Sequence, residues 1–300
     1  MIKKVYREGG AYSSDMVIDE VSVSVKRLTK NYGKITAVND ISFDVLRGEI
    51  FGFLGPNGAG KTTTIRIITT ATKADSGEVY LNSFDILKNP LEAKNSMGVV
   101  SQYINLDMEL TCKENLIVHG MLHNMKKRKI LERIDYLLDY IEIKDKENVQ
   151  VEKISGGMQR KLMIARALMH EPEILFLDEP TVGLDAHSKR KIWDLMVKIN
   201  SENKTIFLTT HYIEEAQQLC NRVAIINSGN LIEVDTPENM IDKIGIIALD
   251  VFNHDDCTTY FFDSREKALE SASKMDGKII IREANLEDVF LDKTGRRVKK

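Results

Sequence analysis

Gly55-Pro56-Asn57-Gly58-Ala59-Gly60-Lys61-Thr62 is a complete G-x-x-x-x-G-K-[ST] run, and what flanks it decides the fold. The apolar stretch Ile50 to Leu54 leads in and reads as a buried strand, while Thr63 to Thr70 reads as the start of a helix. Strand, glycine-rich loop and helix, in that order, are what a phosphate-binding loop requires. Glycines let the backbone wrap so that N–H groups point inward at phosphate oxygens. The helix N-terminus behind them adds partial positive charge. In such a loop the Lys61 ammonium reaches the β- and γ-phosphates and the Thr62 hydroxyl ligates Mg²⁺, with Thr63 opening the helix. The chain is expected to bind a nucleoside triphosphate.

Working outward, Val21, Val23 and Val25 alternate with Ser22, Ser24 and Lys26, and Ile41, Phe43 and Val45 alternate similarly, which predicts half-buried strands. Further strands are predicted at Glu78 to Leu81, Met97 to Val100, Glu173 to Leu177, Thr205 to Leu208 and Val223 to Ile226. Helical patterns separate them: Lys113 to Ile143, interrupted near Lys126 to Arg128, then a helix opened by Ser155-Gly156-Gly157, then Ser188 to Ile199. Strands separated by helices predict an α/β domain with a mixed, largely parallel sheet. After Thr236-Pro237 the character changes. Short strands at Ile244 to Phe252, Thr258 to Phe262 and Lys278 to Arg282 surround a helical stretch, Ser264 to Met275. The predicted organisation is a flexible lead-in over 1–20, a main domain over 21–236 and a small α+β appendage over 237–300.

Hydrophobic content of 43% with 29% charged residues suits a chain that buries a sizeable core, and a net charge of −3 offers no global basic field for nucleic acid. Cys112, Cys220 and Cys257 are widely spaced and odd in number, and read as incidental thiols of a reducing compartment. No apolar run approaches the length of a membrane span. Arg7, Glu8 and Gly9 fall where a secretion signal would need apolar residues, so a cytoplasmic chain is expected. The basic tail Arg296, Arg297, Lys299 and Lys300 reads as a solvated terminus, with contact to acidic phospholipid or a partner as the other reading.

Asp178 and Glu179 end the run Ile174 to Leu177, at the strand end where ligands of parallel sheets sit. Asp178 there can hold a Mg²⁺ shell and Glu179 can polarise an attacking water. Ile154-Ser155-Gly156-Gly157-Met158 offers a second anion site: a small hydroxyl, two glycines and a helix N-terminus. With these in hand, residues 21 to 236 resemble the nucleotide-binding subunit of ATP-binding cassette (ABC) transporters, a phosphate-loop NTPase cassette with a helical subdomain at about 103–170. The family's L-S-G-G-Q signature is matched at Ser155, Gly156 and Gly157 and departs at Ile154 and Met158.

The resemblance implies ATP and Mg²⁺ as cofactors, and two subunits head to tail, each ATP held between one subunit's phosphate loop and the other's Ser-Gly-Gly. It matches Tyr32 to the aromatic that stacks on adenine, Gln102 to the loop glutamine that senses Mg²⁺ and the membrane partner, Asp185 to the loop that communicates across the dimer, and His211 to the histidine that contacts the γ-phosphate. Ser101 stands before Gln102 where relatives often have proline. His119, His123, His170, His187 and His254 read as structural residues. Leu286-Glu287-Asp288-Val289-Phe290-Leu291 with Thr294-Gly295-Arg296 resembles a C-terminal motif of the daunorubicin-resistance type of export ATPase, although an amphipathic helix explains it equally.

The implied protein is an ATP-hydrolysing subunit on the cytoplasmic face of the cell membrane, driving export through a separate multi-spanning permease. Its working dimer is either a homodimer or a pair with a related ATPase subunit, and no nucleic-acid partner is expected. Soluble ABC ATPases of the ribosome or of DNA are the alternative. The former resemble two cassettes fused in one chain, and the latter a cassette split by a coiled coil, for which too few residues separate Lys61 from Ser155.

Overall fold

The computed structural model describes residues 20–253 and 256–295; the lead-in, His254 and the basic residues from Arg296 onward lie outside the described residues. The described residues open on a hairpin, β1 (Val21–Tyr32) and β2 (Ile35–Leu46). Next, β3 (Ile50–Leu54) runs into the phosphate loop and α1 (Lys61–Ile68). After β4 (Ser76–Leu81), β5 (Phe84–Asp85), α2 (Pro90–Asn95) and β6 (Met97–Val100) come three helices, α3 (Cys112–Leu122), α4 (Lys127–Tyr140) and α5 (Gly156–Ala167). Then follow β7 (Ile174–Asp178), α6 (Ala186–Ser201), β8 (Thr205–Thr210), α7 (Ile213–Leu219), β9 (Arg222–Asn227) and β10 (Asn230–Asp235). The last stretch is α8 (Pro237–Ile244), β11 (Ile247–Asn253), β12 (Asp256–Phe262), α9 (Arg265–Ala272), β13 (Lys278–Glu283) and α10 (Leu286–Thr294).

The main sheet has the order β10-β9-β3-β8-β7-β6, parallel throughout except for the β9–β10 pair. Its central strands β3, β7 and β8 are buried on every residue because both faces are covered. On one face Phe51, Phe53, Phe176 and Phe207 meet Phe43 from β2, under the antiparallel sheet β2-β1-β4-β5. On the other, Leu54, Leu175, Leu177, Ile206 and Leu208 pack with Leu162, Ile164 and Met196 of α5 and α6. The alternation within each strand follows the two-residue period of the β conformation.

Phe207 is fully buried, with ring centroids 5.7, 5.6 and 5.5 Å from those of Phe51, Phe53 and Phe176. Phe207→Ala is therefore expected to cost about 3–5 kcal/mol through lost contacts and the cavity left behind. A urea titration followed by tryptophan fluorescence of Trp193 would check this; a cost below about 1 kcal/mol would mean that the aromatic cluster collapses freely around the gap.

Two details differ from the sequence reading, and the C-terminal stretch adds a packing contact that the reading did not address. The helical run breaks at 123–126, one turn earlier than predicted, because α4 starts at Lys127. Its face of Ile130, Ile134, Leu137 and Leu138 is buried. Ile244 ends a helix rather than beginning a strand: Thr236 caps α8, its hydroxyl accepting from the Asn239 N–H, and Pro237 fills the first turn. Lastly, α8 and α10 bury Met240, Leu286 and Val289 in the same cluster as the main sheet. The three-stranded sheet β12-β11-β13 with α9 is stitched back to it by Arg282, whose guanidinium donates to Asp250 on β11 and to Asp288 on α10.

Burial also holds the imidazoles of the helical region in their neutral form: His119 is lowered to about 3 and His170 to about 4, each mainly by desolvation. Among the described residues, no helix is long and apolar enough to cross a membrane.

Candidate functional site

Strand register gathers residues that are far apart in sequence. Leu54 pairs with Thr210, Asp178 with Thr209 and Val100 with Leu177, so β3, β6, β7 and β8 end at one level. Each then delivers its next residues to the same edge: the phosphate loop after Leu54, Gln102 after Val100, Glu179 after Asp178 and His211 after Thr210. There they line a cleft of about 540 Å³ with Asn57, Gly58, Gly60, Lys61, Thr62 and Thr63 of the loop and α1. Ala37, Val182 and Tyr212 complete its walls.

The loop is closely fitted. Gly60 has φ 109°, and a Cβ there would lie 2.3 Å from the Ala37 carbonyl oxygen, so only glycine serves. Behind it, Gly55 approaches the Ile226 carbonyl, which a Cβ would meet at 2.5 Å. Pro56 and Ala59 shape the turn, with the Ala59 N–H donating to the Pro56 carbonyl. Lys61 is buried, and its Nζ donates to the carbonyls of Gly55 and Pro56 at 2.9 and 3.2 Å. It also stands 3.3 Å from Glu179 Oε1.

Glu179 is the centre of the arrangement. Its other oxygen, Oε2, accepts from Gln102 Nε2 at 3.2 Å and lies 3.2 Å from His211 Nδ1. The backbone of Glu179 is held in the left-handed region, φ 48°, an unfavourable conformation for a residue with a Cβ. Thr209 enforces it: both its carbonyl and its hydroxyl accept from the Glu179 N–H, each at 3.1 Å. The same hydroxyl donates to Asp178 Oδ1 at 2.5 Å. Burial raises the Asp178 carboxyl above the ordinary carboxylate range, against the lowering effect of the Thr209 hydroxyl, and the Glu179 charge raises it further. Lys61 and the Thr62 hydroxyl pull it back down.

The second glycine site lies outside the cleft lining. Ser155 caps α5, its hydroxyl accepting from the Met158 N–H, and Ser155 and Gly156 are exposed. Asp185 caps α6 by accepting from the N–H groups of His187 and Ser188 and from the Ser188 hydroxyl. A Cβ on Gly157 would fall 2.8 Å from that Ser188 hydroxyl, so Asp185 and the Ser-Gly-Gly turn share one surface. Tyr32, at the end of β1, is half exposed beneath Lys30 Nζ and is likewise not part of the cleft lining.

Two contributors went unassigned in the sequence. Thr209 was legible only as a polar residue at the end of an apolar strand. Arg160, one turn into α5, is buried and donates to the carbonyls of Ser101 and Gln102, both at 2.8 Å, tying the Ser-Gly-Gly helix to the Gln102 loop. Its neighbour Gln159 turns inward to the carbonyls of Val151 and Ile154, bracing the turn before Ser155.

Known proteins resemble this chain in sequence and in fold. The "ABC transporter" family profile matches residues 38–182. The Nod factor export ATP-binding protein I of Rhizobium meliloti is 37% identical over 300 residues, covering 93% of this chain and 90% of that protein. Its counterpart from Bradyrhizobium diazoefficiens is 37% identical over 308 residues, covering 96% and 99%. Among solved structures, the ATP-binding cassette MJ0796, a post-hydrolysis dimer bound to ADP and phosphate, superposes with a TM-score of 0.64 at 28% identity, covering 71% of this chain and 98% of that one. The cbiO1 protein of Clostridium perfringens, part of the cbiONQ transporter complex, gives 0.67 at 26% identity, covering 75% and 94%. On these likenesses and this fold, the chain belongs to the ABC transporter family, as an ATP-binding and ATP-hydrolysing subunit of the export type.

Proposed function

We propose that Glu179 is the general base of this ATPase and that Lys61, Gln102 and His211 act with it in one cleft. The observation that carries this reading is their convergence: a lysine, a glutamine and a histidine from three separate elements lie within 3.3 Å of a single buried carboxylate. In this reading the loop N–H groups and Lys61 bind the β- and γ-phosphates of ATP. Glu179 takes the proton of a water aligned behind the γ-phosphate, and Lys61 and His211 offset the charge that develops there. The left-handed backbone of Glu179 fixes where its carboxylate points, which favours alignment.

The donors Thr62, Gln102 and Asp178 are all oxygen ligands, and a buried carboxylate raised by desolvation gains from a hard cation beside it. They fit Mg²⁺, which when bound supplies further neutralisation of phosphate charge. ATP would be closed over by Ser155, Gly156, Gly157 and Asp185 of a second subunit, since these form an exposed surface outside the cleft. The intact set in one chain makes a homodimer workable, with a related subunit as the other pairing. Tyr32 would stack on adenine once the hairpin and the base come together.

The permease would dock through the surface near Gln102 and the helical region 113–145, where Tyr103 (80% exposed) on the first and Met121 (64%) and Leu122 (75%) on the second face solvent. In this reading the protein sits on the cytoplasmic face of the membrane. Export is the direction carried by the name of the relatives, and cargo choice falls to the permease.

Leu122→Asp tests the docking face. Forcing a charge into an apolar contact is expected to lower permease recovery in co-purification by about tenfold or more. The rate of the isolated ATPase should stay within about twofold, because Leu122 does not line the cleft. Undiminished recovery would move the docking surface elsewhere. For the function as a whole, Glu179→Gln protein trapped with ATP should co-purify with a polytopic membrane protein; recovery with ribosomes or DNA instead would overturn the transport reading.

A further inference from the structure

Away from the ATP cleft, α3 and the segment after α5 bring three imidazoles together. His119 lies on the last turn of α3 and His123 caps it four residues on, so the two share a helix face. His170 follows α5 and enters from the other side, its ring stacked on that of His123 with centroids 3.9 Å apart. One ring nitrogen from each residue forms a group in which all three atoms lie within 4.8 Å of one another.

The polar inventory of this cluster is incomplete without a ligand. His170 Nε2 is 3.0 Å from the Met97 carbonyl oxygen. A carbonyl only accepts, so Nε2 carries the proton and Nδ1 keeps its lone pair. That Nδ1 is buried and has no hydrogen-bond partner, and the same holds for His119 Nε2. Leaving a buried ring nitrogen unsatisfied costs free energy, and this cluster of three histidines holds two of them. An imidazole whose outer N–H is fixed by a backbone carbonyl, with the inner nitrogen bare, is how metal-ligating histidines are oriented.

We propose that His119, His123 and His170 form a binding site for one borderline divalent transition-metal ion of the Zn²⁺ class, with water or a small anion as fourth ligand. Three imidazoles select such an ion over Mg²⁺ or Ca²⁺, which prefer oxygen donors. Tetrahedral coordination at about 2.0–2.1 Å spaces the nitrogens by about 3.3 Å; the His123 and His170 rings, now parallel to within 8°, must turn out of their stack for both lone pairs to meet one ion. The site is independent of the ATP cleft, whose lining contains none of these residues. A bound ion would fasten the end of α3 to the exit of α5, the helix that begins with Ser155-Gly156-Gly157. It would thereby stiffen the helical region against the sheet.

The test uses the full-length, untagged, chelator-treated protein without nucleotide, in excess Mg²⁺ so that oxygen-donor sites are filled. Calorimetric titration with Zn²⁺ is expected to show one tight equivalent, and His123→Gln, at a partly exposed helix end, to weaken it about 10–100-fold with an unchanged circular dichroism spectrum. Co²⁺ should give a tetrahedral visible band with no thiolate-to-metal charge transfer. Absence of Zn²⁺ binding, equal affinity in His123→Gln, or a thiolate band with Co²⁺ each overturns the proposal. His170→Gln provides a second variant should His123→Gln perturb the fold.

Discussion

Glu179→Gln is expected to reduce steady-state phosphate release by about 10²–10⁴-fold, the range that follows removal of a positioned general base. Glutamine keeps the shape of the side chain and can still meet Gln102 and His211, which lie 3.2 Å from the present carboxylate. What it loses is the ability to accept a proton. It also removes a negative charge from the neighbourhood of the γ-phosphate, so ATP affinity should hold or rise. The variant should therefore accumulate as an ATP-bound dimer. Phosphate release at saturating ATP, paired with light scattering of the eluted species, checks both halves. A variant retaining more than about a tenth of the wild-type rate would remove Glu179 from the role and leave the neighbouring Asp178 or His211 to be tested.

Lys61→Ala should weaken ATP binding about 10- to 100-fold, from the loss of charge-assisted hydrogen bonds worth about 1.5–3 kcal/mol. The side chain is buried and 3.3 Å from Glu179, so its removal also strips a counter-charge from an interior carboxylate. A fall in affinity is thus interpretable only beside an unfolding curve of the same variant. Fluorescent-nucleotide titration at matched folded fraction separates the effects. Unchanged affinity would contradict the assignment of the phosphate loop. Lys61→Arg is expected to rescue little. The guanidinium is wider than an ammonium, and the pocket between the Gly55 and Pro56 carbonyls admits a compact donor.

Much of this protein was legible in its sequence because the determining signals are local. A phosphate loop is a contiguous backbone shape, so Gly55 to Thr62 with a strand before and a helix after carried its own context. The apolar runs of β3, β7 and β8 announced a sheet covered on both faces. Acidic residues at the end of β7 and a histidine at the end of β8 marked the edge where a ligand would lie. What the sequence left open depends on which distant segments meet. Strand register alone decides that Lys61, Gln102 and His211 converge on Glu179, and that Thr209 holds both Asp178 and Glu179 in place. The link from Arg160 to Ser101 and Gln102 spans almost sixty residues and leaves no periodic trace. Likewise, α10 read as an amphipathic helix, but only its burial against Met240 shows which face it covers.

The histidines show the division most clearly: each alone looked like an ordinary structural residue, and tertiary folding brought His170 onto His119 and His123. Sequence fixes what is encoded within a few consecutive residues, the loop geometry and the helix and strand periods. Chemistry built from side chains tens of residues apart is set by sheet order and helix docking, which arise from burial of the whole chain at once.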